Sequence, residues 1–330
     1  MVTEKAVTEE RYIVVGGAGF IGSHFVDRLL QNPVTRGVTV YDNFSSGRRW
    51  HLERHLNDLR LRIIEGDVKD LAKLADAMTG HQTAIHLASN PDIAKAATQP
   101  DIDFYEGTFL THQVVEAMRR SDVKTILYAS GSGVYGDLGE VVAAECHSVG
   151  EPISTYGASK LAGEALISAY CFMFGLRGRA FRFGNVVGPH QTHGVGFDFV
   201  RRLLKNPTEL TILGDGRQSK SYIHIDDVID AVLAAHAWDE RNYSVFNVAT
   251  GDYITVTEIA ELAAECAGLV PGSVKFSYTG GDRGWRGDVP IIRLDTQRIR
   301  SIGWHCRRNS REALREAMLA MLAEFRAGWL

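Results

Sequence analysis

A glycine-rich turn between two regular segments constrains the fold more than any other feature of this sequence. The turn, Gly16–Gly22 with the sequence GGAGFIG, follows a short apolar run and precedes residues 23–30, whose apolar positions have helical spacing. Gly16 permits a tight turn, Gly19 leaves room for a pyrophosphate beside the backbone, and Gly22 lets the helix pack closely on the strand. Because a helix N-terminus attracts anions, this context predicts a phosphate-binding turn. An ordinary strand-to-helix connection is the alternative.

An acidic residue at the end of the next predicted strand indicates which dinucleotide the turn would bind. Asp42 follows the apolar run 38–41 and lies twenty positions after Gly22. A carboxylate at this place accepts hydrogen bonds from the adenosine ribose of NAD and repels the 2′-phosphate of NADP. Because Arg48 and Arg49 are nearby, NADP remains an alternative cofactor, but the pattern favours NAD.

The composition excludes several classes of protein. A chain of 330 residues with 45% hydrophobic residues has room for a dinucleotide-binding domain and a smaller second unit. A net charge of −4 gives no reason to expect nucleic acid as a partner, and no apolar run has the length of a membrane span. The four cysteines contain no CxxC pair, so we expect reduced thiols, no metal site and a cytoplasmic location. Residues 1–10 lack a signal-peptide core and are expected to be a frayed leader.

Predicted strands and helices alternate through the first half of the chain, which is typical of an α/β protein with a doubly wound parallel (Rossmann) sheet. We expect this sheet to form a dinucleotide-binding domain at residues 1–183, joined by a returning strand near 244–249. Residues 184–330 are expected to form a smaller, partly discontinuous substrate domain. Helices are predicted over 104–120 and over 226–238, with Asp226 as the N-cap of the second.

Ligands of such sheets bind beyond the carboxyl ends of the strands. The third and fourth predicted strands end at Asp67 and Val68 and at Ala88 to Asn90, respectively. We therefore expect the first pair near the adenine and Ala88 and Asn90 along the middle of the cofactor. A simple strand terminus is the alternative at each position.

A tyrosine and a lysine one helical turn apart are the candidate catalytic pair. Tyr156 and Lys160 are i and i+4 of a predicted helix, so both project from one face. A free phenol has a pKa near 10 and is a poor base at neutral pH. A neighbouring ammonium together with a positively charged nicotinamide favours the phenolate, which could then take a proton from a sugar hydroxyl while hydride leaves for the cofactor.

Cationic residues in glycine-rich loops of the second half predict an anionic substrate. Arg217, Lys220 and Arg286 lie in such loops, and arginine favours bidentate contacts with phosphate. Solvated surface charge is the alternative. Together with the Rossmann half, these loops favour a nucleotide-activated substrate over a plain alcohol.

The combined motifs resemble those of the extended short-chain dehydrogenase/reductase family, in its nucleotide-sugar epimerase and dehydratase branch. The resemblance covers nearly the whole chain and is carried by GGAGFIGSH (16–24), YDNFSSG (41–47), EGDV (65–68), HLAS (86–89), YGASK (156–160), GNVVGP (184–189), GDGRQSKSYIHIDD (214–227) and RGWRGDV (283–289). The YDNFSSG segment looks most like that of UDP-galactose (UDP-glucose) 4-epimerases.

The resemblance implies a role for each matching position. Tyr156 would be the catalytic base, and Lys160 would activate it and anchor the cofactor ribose. The residues that would bind NAD, besides this pair, are Gly16, Gly19, Phe20, Ile21, Gly22, Asp42, Asn43, Ser46, Gly47, Asp67, Val68, Leu87, Ala88 and Ser89. The residues that would bind a nucleotide-diphosphate sugar are Asn90, Ser132, Asn185, Lys220 and Arg286. A homodimer is common in this family and is expected here.

Two departures from the family pattern concern the sugar site. Relatives carry a serine or threonine four residues before the tyrosine of the VYG segment, whereas this chain has Gly131. Ser130 and Ser132 flank the gap, and either hydroxyl is a candidate catalytic group. A dehydratase would also carry an acid at the position of Gly133, which this chain lacks.

The sequence therefore predicts NAD-dependent epimerisation at C4 of a nucleotide sugar, through a transient 4-keto intermediate, with a UDP-sugar as the expected substrate. The nearest alternatives are a 4-dehydrogenase or ketoreductase, which oxidises or reduces the nucleotide sugar once, and a 4,6-dehydratase. A non-catalytic NAD-binding regulator is an alternative of another class.

Overall fold

Apolar strand residues without alternation predict strands buried on both faces, as in a parallel sheet covered by helices. The structure, a computed structural model that describes residues 10–149, 151–238 and 241–330, contains such a sheet. Residues 13–15 of its first strand are fully buried. The α/β class with a doubly wound parallel sheet is confirmed.

The central sheet has seven strands, all parallel, in the order β12-β7-β5-β4-β1-β2-β3. The strand order reverses at β1, which pairs with β2 on one side and β4 on the other. In chain order the strands are β1 (Glu10–Val15), β2 (Thr35–Asp42), β3 (Leu61–Glu65), β4 (Thr83–His86), β5 (Thr125–Gly131), β6 (Val142–Ala143), β7 (Arg177–Phe183), β8 (Asn185–Val187), β9 (Glu209–Ile212), β10 (Ser219–Lys220), β11 (Tyr222–His224), β12 (Tyr243–Val248), β13 (Ile254–Thr255), β14 (Lys275–Tyr278) and β15 (Arg293–Leu294).

Helices cover both faces of this sheet and build the second unit. They are α1 (Phe20–Gln31), α2 (Leu71–Met78), α3 (Phe109–Ser121), α4 (Thr155–Phe174), α5 (Val195–Lys205), α6 (Ile225–Trp238), α7 (Val256–Cys266), α8 (Gln297–Ser301) and α9 (Ser310–Ala327). One face of the sheet packs against α1 and α6, and the other packs against α2, α3 and α4. No helix in the described ranges combines the length and the apolar character that crossing a membrane would require.

The second unit has a core of its own. Helices α5, α7 and α9 pack around β9, with Phe199, Ile212, Ile259, Leu314 and Met318 buried between them. The chain nevertheless returns to the sheet, because α6 covers one face and β12 pairs with β7 at the edge. The returning strand expected near 244–249 is thus β12.

Two expectations about helices differ from the structure. The segment predicted as one helix over 104–120 begins as a π-helix at Phe104–Thr108, and the α-helix starts at Phe109. Asp226 is not an N-cap, because α6 begins one residue earlier and the Asp226 amide donates to Nδ1 of His224 at 3.2 Å. The wider hydrogen-bond spacing of a π-turn and a capping imidazole have no strong local sequence signal.

Candidate functional site

The glycine-rich turn lies at the point where the strand order reverses, and its geometry requires glycine. Gly16 has φ +84°, and a Cβ on it would lie 2.8 Å from the Ala88 amide nitrogen at the end of β4. A Cβ on Gly22 would lie 2.2 Å from the carbonyl oxygen of Gly16. A Cβ on Gly19 would meet only that carbonyl oxygen, at 3.3 Å. The turn is therefore folded tightly on itself while the backbone at Gly19 stays open to a ligand.

The groups around this turn fit the phosphates and ribose of a dinucleotide. No side chain caps the first turn of α1, so the backbone amides of this turn have no side-chain oxygen as a partner. The Ser89 hydroxyl at the end of β4 is buried and makes no hydrogen bond within the described part of the chain. Unpartnered buried donors and a positive helix end are what a bound diphosphate would satisfy.

The second strand end presents the acidic group expected at the adenosine ribose. Asp42 is buried, and its carboxylate accepts hydrogen bonds from the amides of Ala18 at 2.9 Å and Phe44 at 2.8 Å. Burial raises the pKa of this carboxyl, and the hydrogen bonds from Phe44 and Ala18 oppose that effect. A Cβ on Gly47 would lie 2.9 Å from Asp42 Oδ1, so the glycine keeps the loop against the carboxylate.

The neighbouring residues of this ribose and adenine region also come together. The Asn43 amide donates to the Asp67 carboxylate at 3.4 Å, and Val68 is buried beside them. Arg49, one of the two arginines that kept NADP as an alternative cofactor, pairs with Glu65 at 2.5 Å. Of the remaining residues expected at the cofactor, Ser46 is exposed, and the partly buried ones are Phe20, Ile21, Leu87, Ala88 and Ser89.

The candidate catalytic pair lies at the start of α4, as the sequence predicted. The Ser154 hydroxyl caps this helix by accepting from the Gly157 amide at 3.1 Å. A Cβ on Gly157 would lie 2.4 Å from the Gly133 carbonyl oxygen, so this glycine lets the helix lie against the segment after β5. Nζ of Lys160 lies 5.4 Å from the centre of the Tyr156 ring and donates to the Ala129 carbonyl at 2.9 Å.

The chain by itself does not lower the pKa of the tyrosine. Burial and, to a smaller extent, the negative charge of Asp103 together raise the pKa of Tyr156 to about 12. Burial lowers the pKa of Lys160 to about 8, against the charge of Asp103. The depression expected from the sequence combined the ammonium with a positively charged nicotinamide. Without that second charge, desolvation of the phenolate outweighs the ammonium.

A buried polar network, which the sequence reasoning missed, fixes the end of β5 against α4. The Ser130 hydroxyl donates to Glu164 Oε1 at 2.6 Å, and the Arg182 guanidinium holds both oxygens of Glu164 at 2.9 and 2.6 Å. Arg182 also donates to the Tyr135 hydroxyl at 2.8 Å, which in turn donates to Asn247 at 2.8 Å. The network joins β5, α4, β7 and β12, and the Ser130 hydroxyl is committed to it.

We expect Glu164→Gln to lower the free energy of unfolding by about 3–5 kcal/mol, because it leaves the Arg182 charge buried without a partner. The side chains of this pair are only 4% and 5% exposed. The matched control is Glu265→Gln, whose partner Arg315 is exposed, and it should change the free energy of unfolding far less than Glu164→Gln does. Urea denaturation of both variants measures the difference, and equal losses would contradict the assignment of a buried pair.

The gap left by Gly131 faces the tyrosine. The Gly131 backbone is extended, and a Cβ on it would lie 3.9 Å from Cε1 of Tyr156, an ordinary contact distance. Ser132, the first residue of the following 3₁₀ turn, is partly buried, and its hydroxyl makes no hydrogen bond to any described residue. Of the two flanking serines, Ser132 is therefore the one with a free hydroxyl.

Two of the expected substrate residues meet where β8 pairs with β11. The Asn185 side chain donates to the Ser221 carbonyl at 3.2 Å, next to Lys220. The Lys220 ammonium pairs with the Asp288 carboxylate at 2.5 Å, and both side chains are mostly buried.

The remaining two substrate candidates differ in their surroundings. Arg286 is exposed in the loop that contains Asp288. Asn90 is buried, and its side-chain amide donates to the Asp103 carboxylate at 2.9 Å and to the Asp92 carbonyl. Its side-chain oxygen accepts from the Asp92 amide. The Asn90 side chain is therefore occupied by the protein itself.

The loop carrying Arg286 packs against the N-cap of α4. A Cβ on Gly287 would lie 2.4 Å from the Trp285 ring and 3.3 Å from the Ser154 Cβ. Arg283 in the same loop pairs with Asp137 at 2.9 Å. This loop of the second half therefore lies next to the first turn of the helix that carries Tyr156. A separate cavity of about 420 Å³ beside β12, lined among others by Trp238, Ser244 and Arg298, contains none of the expected site residues.

Known proteins share this fold and are similar in sequence over most of the chain. The model of the NAD dependent epimerase/dehydratase family matches residues 12–249. The UDP-glucose 4-epimerase of Mycolicibacterium smegmatis is 32% identical over 304 residues, which cover 89% of this chain and 93% of that protein. A solved UDP-galactose 4-epimerase is 34% identical with a TM-score of 0.83, over 95% of this chain and 99% of its own.

Similarity extends to the dehydratases of the same group. A double mutant of DesIV, the dTDP-glucose 4,6-dehydratase of Streptomyces venezuelae, was solved with NAD bound. It is 26% identical with a TM-score of 0.87, over 97% of this chain and 98% of its own. The comparisons therefore include both epimerases and dehydratases.

Proposed function

This chain belongs to the NAD-dependent epimerase/dehydratase family, and we propose that it epimerises a nucleotide sugar, with a UDP-sugar as substrate, at C4. The observation that carries the proposal is the placement of Tyr156 and Lys160. Both lie on one face of α4 at the carboxyl end of β5, where Lys160 donates to the Ala129 carbonyl and Tyr156 lies beside Gly131. Ligands of doubly wound sheets bind at that position.

The residues of this chain supply binding and proton transfer. The turn from Gly16 to Gly22 and the uncapped start of α1 would hold the diphosphate of NAD, and Asp42 would hold its adenosine ribose. When bound, NAD supplies reversible hydride transfer. Tyr156 would take the proton from the 4-hydroxyl of the sugar and return it after the 4-ketose has turned over in the site. Lys160 holds a positive charge beside the phenol throughout.

We assign the nucleotide-sugar-binding role to residues 184–330 and the cofactor-binding role to residues 1–183 with β12. Lys220 and Arg286 would meet the diphosphate, and Asn185 beside Lys220 would orient it. Because Lys220 pairs with Asp288, the substrate phosphates would have to share the ammonium with that carboxylate. An ammonium is a point charge rather than the fork of arginine, so its contact is less directional.

Two alternatives differ from the proposal in measurable ways. A 4,6-dehydratase needs an acid near the position of Gly133, and the chain has no side chain there. A 4-dehydrogenase or ketoreductase would convert NAD once in each turnover, whereas an epimerase leaves its redox state unchanged. The absence of the acid favours epimerisation over dehydration.

The test is incubation of the purified protein with a panel of nucleotide sugars, beginning with UDP-glucose and UDP-glucuronate. NMR should detect the 4-epimer without net NADH, which is read at 340 nm. Accumulating NADH would identify the dehydrogenase, and a 4-keto-6-deoxy product would identify the dehydratase. No product from the whole panel would reject the proposal.

A serine at position 131 should improve turnover. We expect Gly131→Ser to raise kcat/KM about tenfold, since the space beside Tyr156 is open and one added hydrogen bond to the 4-oxygen is worth about 1–1.5 kcal/mol. If the free Ser132 hydroxyl donates to the 4-oxygen in the wild-type protein, Ser132→Ala should lower kcat/KM. Combining Gly131→Ser with Ser132→Ala should restore the lost kcat/KM. No gain from Gly131→Ser together with no loss from Ser132→Ala would contradict this assignment.

An exposed face of α4 supports a homodimer. Phe172 is 90% exposed and Met173 is 68% exposed, and Ala158, Ala165 and Ala169 are exposed on the same helix. A contiguous apolar face of this kind indicates a covered surface.

The four cysteines form no disulfide in the described residues, which supports a reducing, cytoplasmic location.

A further inference from the structure

A buried carboxylate lies beside the candidate catalytic pair and belongs to none of the motifs. Asp103 is 1% exposed, just before the π-helix at Phe104–Thr108. Its carboxylate accepts from the Thr155 hydroxyl at 2.6 Å and from the Asn90 amide at 2.9 Å. Thr155 is the first residue of α4 and the immediate neighbour of Tyr156.

The packing holds this carboxylate in place. A Cβ on Gly107 would lie 2.7 Å from the Ser159 hydroxyl, so the π-helix lies directly against α4 through a glycine. A negative charge at the first turn of a helix is also favoured by the helix dipole. Asp103 is therefore fixed by its two hydrogen bonds and by the helix packing.

The buried ammonium of Lys160 needs a counter-charge. Lys160 is 4% exposed, and its only hydrogen bond in the described residues is to the Ala129 carbonyl at 2.9 Å. The rings of Tyr128 and Tyr156 lie 5.3 and 5.4 Å away. A buried cation without compensation loses its proton.

Other titratable groups around the pair do not supply this charge. His86 on β4 is neutral at physiological pH, because burial lowers its pKa to about 3. Tyr128 on β5 is neutral because burial raises its pKa. Glu164 on α4 is neutralised by Arg182. Asp103 forms no ion pair within 4.0 Å in the described residues and raises the pKa of Lys160.

We propose that Asp103 is a positioning residue for the Tyr156–Lys160 pair. Its carboxylate fixes the first turn of α4 through Thr155 and is the counter-charge that keeps the Lys160 ammonium protonated. The same charge opposes ionisation of Tyr156, so Asp103 sets both edges of the pH range in which a phenolate and an ammonium coexist. The inference rests on the proposed function only where activity is the readout.

Two variants separate the charge from the hydrogen bond. Asp103→Asn removes the charge and can keep both hydrogen bonds, because a threonine hydroxyl can accept as well as donate. Thr155→Val removes one hydrogen bond and keeps the charge. Thermal unfolding of both shows that each is folded at the temperature of the assays.

The direct measurement is the titration of Lys160 in the whole protein by NMR of ¹³Cε-labelled lysine, with the signal assigned by Lys160→Met. We expect Asp103→Asn to move the midpoint down by about one pH unit and Thr155→Val to leave it within about 0.3 units. This readout needs neither cofactor nor substrate. A midpoint unchanged by Asp103→Asn would overturn the proposal.

Activity gives the second readout. Removing the charge should move both limbs of the pH profile of kcat to lower pH, and Asp103→Glu should restore them in part. Thr155→Val should lower kcat but leave both limbs of its pH profile in place. A purely structural Asp103 would lower kcat by one factor at every pH, and that result would overturn the proposal. If no nucleotide sugar reacts, the function fails while the lysine titration still decides the inference.

Discussion

Tyr156→Phe is expected to reduce kcat at least about 10³-fold and to leave the affinity for NAD unchanged within about threefold. The substitution removes only the hydroxyl that would carry the proton, and positioned acid–base groups contribute about 10²–10⁴-fold. The ring that packs beside Gly131 and Lys160 is retained. Turnover is measured by NMR of the sugar, and NAD binding by calorimetry.

The matched control is Tyr170→Phe, on the same helix. Tyr170 is partly buried, and its hydroxyl donates to Glu116 at 3.3 Å, on the neighbouring α3. This variant should keep turnover within about twofold. A Tyr156→Phe protein with wild-type turnover would remove the phenol from the mechanism and favour the non-catalytic NAD-binding regulator.

Gly22→Ala is expected to weaken NAD binding at least about 100-fold, equivalent to about 2.7 kcal/mol. Alanine in a helix is ordinarily better than glycine by about 0.5–1 kcal/mol. Here the alanine Cβ would lie 2.2 Å from the Gly16 carbonyl oxygen, so the backbone of the glycine-rich turn must move. Calorimetric titration with NAD measures the loss, and a thermal melt measures the accompanying strain.

Two further glycine variants sharpen this test. Gly19→Ala has open space for its Cβ apart from one oxygen at 3.3 Å, so it should fold normally and lose NAD affinity where the diphosphate would approach. Gly196→Ala is the control in the first turn of α5, where the nearest atom is the flexible end of Met318 at 3.3 Å. It should leave NAD binding unchanged. Full NAD affinity in Gly22→Ala would disprove the role of the turn.

The sequence was sufficient wherever the chemistry depends on residues close together in the chain. The glycine-rich turn and the i and i+4 spacing of Tyr156 and Lys160 each lie within seven residues. Local backbone geometry fixes such relations before any tertiary contact forms. The alternation of strands and helices likewise determined the parallel sheet.

The functions of single polar residues could not be predicted in this way. Ser130 and Ser132 are equivalent in the sequence, but Glu164 occupies the first and leaves the second free. Lys220 was predicted to contact an anionic substrate, and in the structure it pairs with Asp288, 68 residues later. Asn90 was expected at the substrate, and only the structure shows that its amide donates to Asp103.

The sequence by itself determined the fold class, the glycine-rich turn and the spacing of the candidate catalytic pair, because each is encoded by short-range spacing or by repeated hydrophobic periodicity. Only the tertiary structure decided which charges are buried, which are paired and which remain for a ligand. Asp103 accepts a hydrogen bond from Thr155 across 52 residues, and burial and the charge of Asp103 raise the pKa of Tyr156. Desolvation and long-range partners are properties of the packed chain, and no local pattern encodes them.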